Sequence, residues 1–88
     1  MLTPIRSTQF KKDVKRMMRR NVDLNKLKYI LDFLVNEKEL PEKCKNHNLI
    51  GNFDGRQECH IEPDWLLIYR IDDESLYLER TGTHTDLF

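Results

Sequence analysis

Residues 65–71, Trp-Leu-Leu-Ile-Tyr-Arg-Ile, restrict the fold more than any other stretch of the chain. Both alternating sets are mostly apolar: Trp65, Leu67, Tyr69 and Ile71 against Leu66, Ile68 and Arg70. A strand that needs burial on both faces belongs in the centre of a sheet. Turn signals bound it on each side. Before it, Glu62-Pro63-Asp64 reads as a turn, because Pro63 presets φ for the second turn position and Asp64 can bond nearby backbone. After it comes the acidic turn Asp72-Asp73-Glu74-Ser75. Neighbouring strands are expected at Arg56–Ile61 and Leu76–Thr81. The hairpin would gather His60, Asp64 and Trp65 at one end of the sheet. The segment after the last strand supplies Arg80, His84 and Phe88.

The first half supplies what covers that sheet. Met1–Arg6 is a candidate strand, confined by Pro4 to an edge or an irregular end. Ser7 can cap a helix beginning at Thr8. Phe10, Val14, Met17 and Met18 then fall at i, i+4, i+7 and i+8, an apolar face opposite lysines and arginines that run to Arg20. Asp23 restarts a second helix, with Val22 placed to pack on Leu27 as a staple. Leu24, Leu27, Ile30, Leu31 and Leu34 form its stripe, which ends near Glu37, and Pro41 stops any continuation. The short connection implies an antiparallel helix pair. Residues 41–55 read as loop, with Leu49-Ile50 as a short strand. The order β-α-α-β-β-β-β describes one α+β domain over residues 1–88, a small antiparallel-type sheet packed against a helical hairpin. No internal repeat appears.

Charge is segregated. Residues 1–28 hold nine basic and two acidic side chains, a local charge of +7, and the remainder is −7, so the formal net charge is zero. Such an asymmetry points to an anionic partner for the basic part. Charged residues make up 34% of the chain and mean hydropathy is −0.70. No apolar run approaches the roughly 20 residues of a membrane span, and the N-terminus lacks the apolar core of a signal peptide. A cytoplasmic protein without membrane contact is expected, with Cys44 and Cys59 as free, partly buried thiols.

Three chemistries compete for the polar residues. Zinc is disfavoured, because adjacent Cys59 and His60 point to opposite faces of a strand and the spacing misses the paired patterns of structural sites. A cysteine nucleophile fails for the same reason. General acid–base chemistry fits better. His47, His60 and His84 all fall in loops or at strand ends, and histidine can serve as base or acid near neutrality. Asp64 could orient a histidine, Arg80 could hold a phosphate through its planar fork, and Trp65 and Phe88 could stack on bases. Cleavage of RNA needs such a set: a base for the 2′-hydroxyl, an acid for the leaving 5′-oxygen, and a cation for the developing charge.

His60-Ile-Glu-Pro-Asp64-Trp65-Leu-Leu-Ile-Tyr69, followed by Glu79-Arg80-Thr-Gly-Thr-His84 and ending at Phe88, closely resembles the YafQ-type toxins. These belong to the RelE/ParE superfamily of bacterial type II toxin–antitoxin systems. Asn25-Lys26-Leu27-Lys28-Tyr29 and Lys45-Asn46-His47 are also similar to family segments, so the likeness spans nearly the whole chain. It implies an endoribonuclease that enters the ribosomal A site, cuts mRNA by 2′-hydroxyl attack without metal or other cofactor, and is neutralised by a cognate antitoxin. His47, His60, Asp64 and His84 fall at the family's acid–base positions. Trp65, Arg80 and Phe88 fall where it positions RNA or stabilises the scissile phosphate. The expected division pairs His60 with Asp64 for proton removal and assigns His84 to the leaving group. Two departures stand out. Gln57 occupies the position three before the motif histidine where the family usually has arginine, with Arg56 beside it. The sequence pI of about 6.8 is also low for a toxin of this kind. Two other readings remain open to the residues: a non-catalytic RelE/ParE-like module acting through a protein target or an antitoxin–DNA complex, and a basic-helix protein that binds nucleic acid without cutting it.

Overall fold

The strand with two apolar faces is the middle of a five-stranded sheet of order β1-β5-β4-β3-β2. The computed structural model describes residues 1–51 and 55–88. In chain order it contains β1 (Thr3–Arg6), α1 (Thr8–Arg19), α2 (Leu24–Val35), a 3₁₀ turn (Glu42–Cys44), β2 (His47–Asn48), β3 (Gln57–Glu62), β4 (Trp65–Asp72), β5 (Ser75–Gly82) and α3 (His84–Leu87). The expected β-α-α-β-β-β-β order is present, with a C-terminal helix added. β2 to β5 run antiparallel, whereas β1 joins β5 in parallel, so the sheet is mixed at that edge. Pro4 lies on this outer strand, where its missing N–H leaves no gap in an interior ladder.

Each helix starts as its capping residue requires. The Ser7 hydroxyl accepts from the Phe10 amide at 2.9 Å and donates to the Glu79 carbonyl at 2.9 Å, so the same group caps α1 and ties it to β5. Asp23 accepts from the Asn25 amide at 3.0 Å. Asn21 takes a left-handed conformation (φ 62°) just past α1, a role asparagine fills more readily than most residues. Leu49-Ile50 is not a strand. The bridge lies two residues earlier, at His47–Asn48, and Ile50 is exposed. Residues 52–54 of that expected loop lie outside the described residues.

The main core lies between the helices and one sheet face. Trp65, Leu67 and Tyr69 of β4, Cys59 of β3, and Leu76 and Leu78 of β5 meet Phe10, Met17, Leu27, Ile30 and Leu34. Burial in that core pushes the Cys59 thiol up to about 12, and Cys44 is buried too, so both are free but fully rather than partly buried. The buried stripe of α1 differs from the expected one. It is Phe10, Asp13 and Met17, with Met18 exposed and Val14 half-buried.

Asp13 has no exposed surface, and it is fully used. It accepts from Arg80 Nε (2.7 Å) and Nη2 (3.3 Å), the Thr81 amide (3.1 Å), Arg16 Nη2 (3.0 Å) and Gln9 Nε2 (3.1 Å). A β-bulge makes this possible. Ile68 faces Arg80 while Tyr69 faces Leu78, so one residue of β5 is extra and the strand is re-aimed there. Thr81 and Leu78, three apart, then both face the helices. Thr81 accepts from Trp65 Nε1 (2.9 Å) and donates to the Leu66 carbonyl (2.7 Å).

Burial pushes the Asp13 carboxyl up, but the hydrogen bonds from Arg80, Gln9 and Thr81 outweigh it and hold the group below its ordinary 3.8. A carboxylate depressed on folding adds stability that is present above its unfolded pKa and lost as pH falls through the folded one. Asp13→Asn is therefore expected to cost about 3–5 kcal/mol in urea unfolding near neutral pH, the loss typical of a broken buried ion pair. That gap should narrow as pH drops below 3.8.

Candidate active site

Leu66 and Ile68, with Leu49 and Leu87, form a small second core on the sheet face away from α1 and α2. Glu58 and His60 pair with Ile68 and Leu66, so alternation sets both on this face. His47 pairs with Glu58 on the edge strand. α3 brings His84. Its start is a capping box in which Thr83 Oγ1 accepts from the Asp86 amide (3.2 Å) and Asp86 accepts from the Thr83 amide (2.9 Å).

All three imidazoles are oriented in the same way. Nδ1 lies 2.8 Å from the Lys45 carbonyl in His47, 3.2 Å from the Pro63 carbonyl in His60, and 2.8 Å from Asp64 Oδ1 in His84. Carbonyl and carboxylate oxygens only accept, so each ring donates from Nδ1 and keeps Nε2 for chemistry. Glu58 is 5% exposed and sits between two of these nitrogens, with Oε1 3.5 Å from His47 Nε2 and 3.7 Å from His60 Nε2. The His60 and His84 ring centroids are 5.9 Å apart. Asp64 Oδ1 also accepts from the His84 amide at 3.1 Å. The hydrogen bond from the His84 ring, then that from its amide, holds the Asp64 carboxyl below its ordinary value.

Several expected roles change. Asp64 bonds His84 rather than His60, and the carboxylate facing His60 is Glu58, which sequence reasoning missed. Its signal was present, since Glu58 and His60 are two apart on a strand and share a face. Trp65 is 2% exposed with its indole in the helix-side core, so no base can stack on it. Arg80 commits Nε and Nη2 to Asp13, which leaves at most Nη1 of its fork for a phosphate. Phe88 remains 62% exposed at the end of α3, beside the histidine face. Gln57 pairs with Tyr69 and accepts from its hydroxyl at 2.9 Å, on the helix side, so this departure falls away from the histidines. Arg56 bonds Glu79 at 2.6 Å. Among the described residues no group of three or more His, Cys, Asp or Glu is arranged to hold a metal ion. Cys59 lies in the helix-side core and His60 on the opposite face.

The four-residue α3 cannot hold itself in place. Arg20 grips Asp86 with two bonds, of 2.6 and 3.0 Å, and Arg16 Nε adds a contact at 3.7 Å. The Arg20 bond, with help from Thr83, keeps Asp86 far below the ordinary carboxylate range. Gly82 is needed at this junction, where a Cβ would come within 2.9 Å of Asp86 Oδ2 and 3.1 Å of Arg16 Nη2.

A mixed sheet with α1 and α2 on one face and a histidine–carboxylate row beside α3 on the other defines a small α+β domain. The chain belongs to the YafQ family, bacterial toxins of type II toxin–antitoxin systems, whose family model matches residues 2–88. It is 48% identical over 83 residues to the mRNA interferase toxin YafQ of Escherichia coli K12, covering 93% of this chain and 90% of that one. Its structure matches the toxin in the E. coli DinJ–YafQ complex with a TM-score of 0.93 at 45% identity, covering 100% and 99% of the two chains. A metal-bound toxin from Helicobacter pylori matches with a TM-score of 0.94 at 39% identity, each chain covered in full.

If the Arg20–Asp86 pair holds α3, Arg20→Ala should remove hydrogen-exchange protection from the Leu87 and Phe88 amides, which bond the Thr83 and His84 carbonyls. Protection in β4 should be unchanged, and Arg20→Lys should restore part of what α3 loses.

Proposed function

We propose that the protein is a ribosome-dependent mRNA interferase of the cytoplasm, cutting mRNA in the A site by metal-independent acid–base catalysis. The observation that carries the reading is the pair of histidine–carboxylate units, Glu58–His60 and Asp64–His84, with rings 5.9 Å apart on an open sheet face. That separation lets both rings touch one phosphodiester. His60 Nε2 removes the 2′-hydroxyl proton, and Glu58 carries the counter-charge of the imidazolium. The 2′-oxygen attacks phosphorus, and the bond to the 5′-oxygen breaks. His84, entering protonated against Asp64, gives its Nε2 proton to the leaving oxygen. The products are a 2′,3′-cyclic phosphate and a 5′-hydroxyl. His47, on the other side of Glu58, can donate from Nε2 to the phosphate when its ring is protonated. Phe88 offers a ring on which a neighbouring base can stack.

Affinity for the ribosome comes from α1 and α2, whose Lys11, Lys12, Lys15, Arg19 and Lys28 are exposed. Phosphate binding responds to such local charge rather than to net charge, which reconciles the near-neutral pI with an RNA target. The restraining partner is a cognate antitoxin, as DinJ is for the E. coli relative. An acidic or amphipathic segment folding onto the basic surface fits this role. No helix among the described residues is long and apolar enough to cross a membrane.

Mapping mRNA 5′ ends after a short pulse of expression tests the proposal. New ends at fixed codon phase on translated messages are expected with wild type. His84→Ala should lower cleavage by about 10²–10⁴-fold, the usual contribution of a general acid or base. Growth arrest without new ends would overturn the nuclease reading. In the same assay Glu58→Gln should cut at least about ten-fold more slowly, as expected for an acid–base partner. Gln57→Arg, on the other face, should change the rate less than about two-fold, like most substitutions away from a site.

A further inference from the structure

A cavity of about 620 Å³ opens beside His60, between α2, the 3₁₀ turn and the β3–β4 turn. Its walls are Tyr29 and Ile30 of α2, Cys44, and Ile61 and Pro63. Lys43 and Lys45 stand on its rim with no ion-pair partner among the described residues. Lys26 also lines it, but is engaged by Glu62. The volume falls within the roughly 300–1,000 Å³ typical of small-ligand sites.

Three observations say what fits. Tyr29 is 50% exposed and is braced edge-on by Phe33, with centroids 5.0 Å apart at 73°, so its ring is a prepared platform. Lys45 holds a left-handed conformation (φ 48°), uncommon for a non-glycine residue, and its carbonyl fixes the His47 ring at 2.8 Å. The backbone of this lysine thus holds one ring of the histidine row. His60 itself lines the cavity. A phosphate held against His60 would therefore lie beside this cavity.

We propose that this groove binds one unstacked nucleotide of single-stranded RNA next to the scissile phosphate. Its base lies against Tyr29, Ile61 and Pro63, and its phosphates face Lys43 and Lys45. An aromatic platform bordered by cations is the usual design for single-stranded nucleic acid. The proposal rests on the nuclease reading and adds to it the contact that sets which base is accepted beside the cut.

Two readouts test it: binding of a fluorescent 2′-O-methyl RNA trinucleotide to the free protein, and cleavage on ribosomes with each of the four bases beside the cut. Thermal unfolding confirms that each variant folds. Tyr29→Ala should weaken probe binding about ten-fold, the scale of one stacked base, and flatten the base preference, whereas Tyr29→Phe should keep both. Lys43→Glu with Lys45→Glu should weaken binding and reduce the slope of log affinity against log salt by about 1.4, the share of two single-strand phosphates. Unchanged probe affinity and base preference in Tyr29→Ala would overturn the proposal. So would loss of antitoxin inhibition with cleavage intact, which would assign the groove to a peptide. Wild type that cuts nothing would overturn the nuclease reading alone, and the probe titration would still decide the groove.

Discussion

Asp13 survives without exposed surface because five hydrogen bonds converge on it, two from Arg80 and one each from Arg16, Gln9 and Thr81. A buried carboxylate without such partners would be strongly destabilising. With them it joins α1 to the last strand at the point where that strand is bulged. The consequences reach the opposite face. Thr81, held by Asp13, takes the Trp65 indole and the Leu66 carbonyl. Arg16, held by Asp13, also faces Asp86 and steadies the helix that carries His84. The histidine row is therefore positioned from behind, through β4 and β5 and through α1.

The two sheet faces divide the work. The helix side buries most of the apolar residues and both cysteines, and it supplies the stability. Among the described residues, the other side has Leu66, Ile68, Leu49 and Leu87 for a core. Its remaining surface is given to His47, Glu58, His60, His84 and Asp64, which a packed layer would exclude. The bulge between His60 and Glu62 divides residues that are near in sequence. His60 stays on the face that carries His84, while Glu62 turns back to the Lys26 side chain of α2.

The sheet was legible because β4 cannot be anything but central, and its turns are written in Pro63, Asp64 and Asp73. The helix caps at Ser7 and Asp23 were equally readable. Periodicity failed where a polar residue took a core place. Counting apolar residues put Met18 in the α1 stripe, but it is exposed, whereas the fully buried polar position is Asp13, whose Arg80 partner lies 67 residues away. The same long-range bond ties Arg80 to Asp13, and the same core buries Trp65. Among the expected acid–base residues, Asp64 closes on His84, and His60 faces Glu58 instead. Asp64 is four residues from His60 and twenty from His84, yet the hairpin and α3 bring it to His84. Motif spacing records which residues are present, not which pairs close.

The central claim is that two histidine–carboxylate units divide proton removal and proton donation between them. The pH dependence of single-turnover mRNA cleavage on programmed ribosomes, with chelator present, tests it most directly. The account expects a bell-shaped profile in wild type, loss of the acidic limb in His60→Ala and loss of the alkaline limb in His84→Ala. A profile that keeps both limbs in either variant, or cleavage abolished by the chelator, would contradict it.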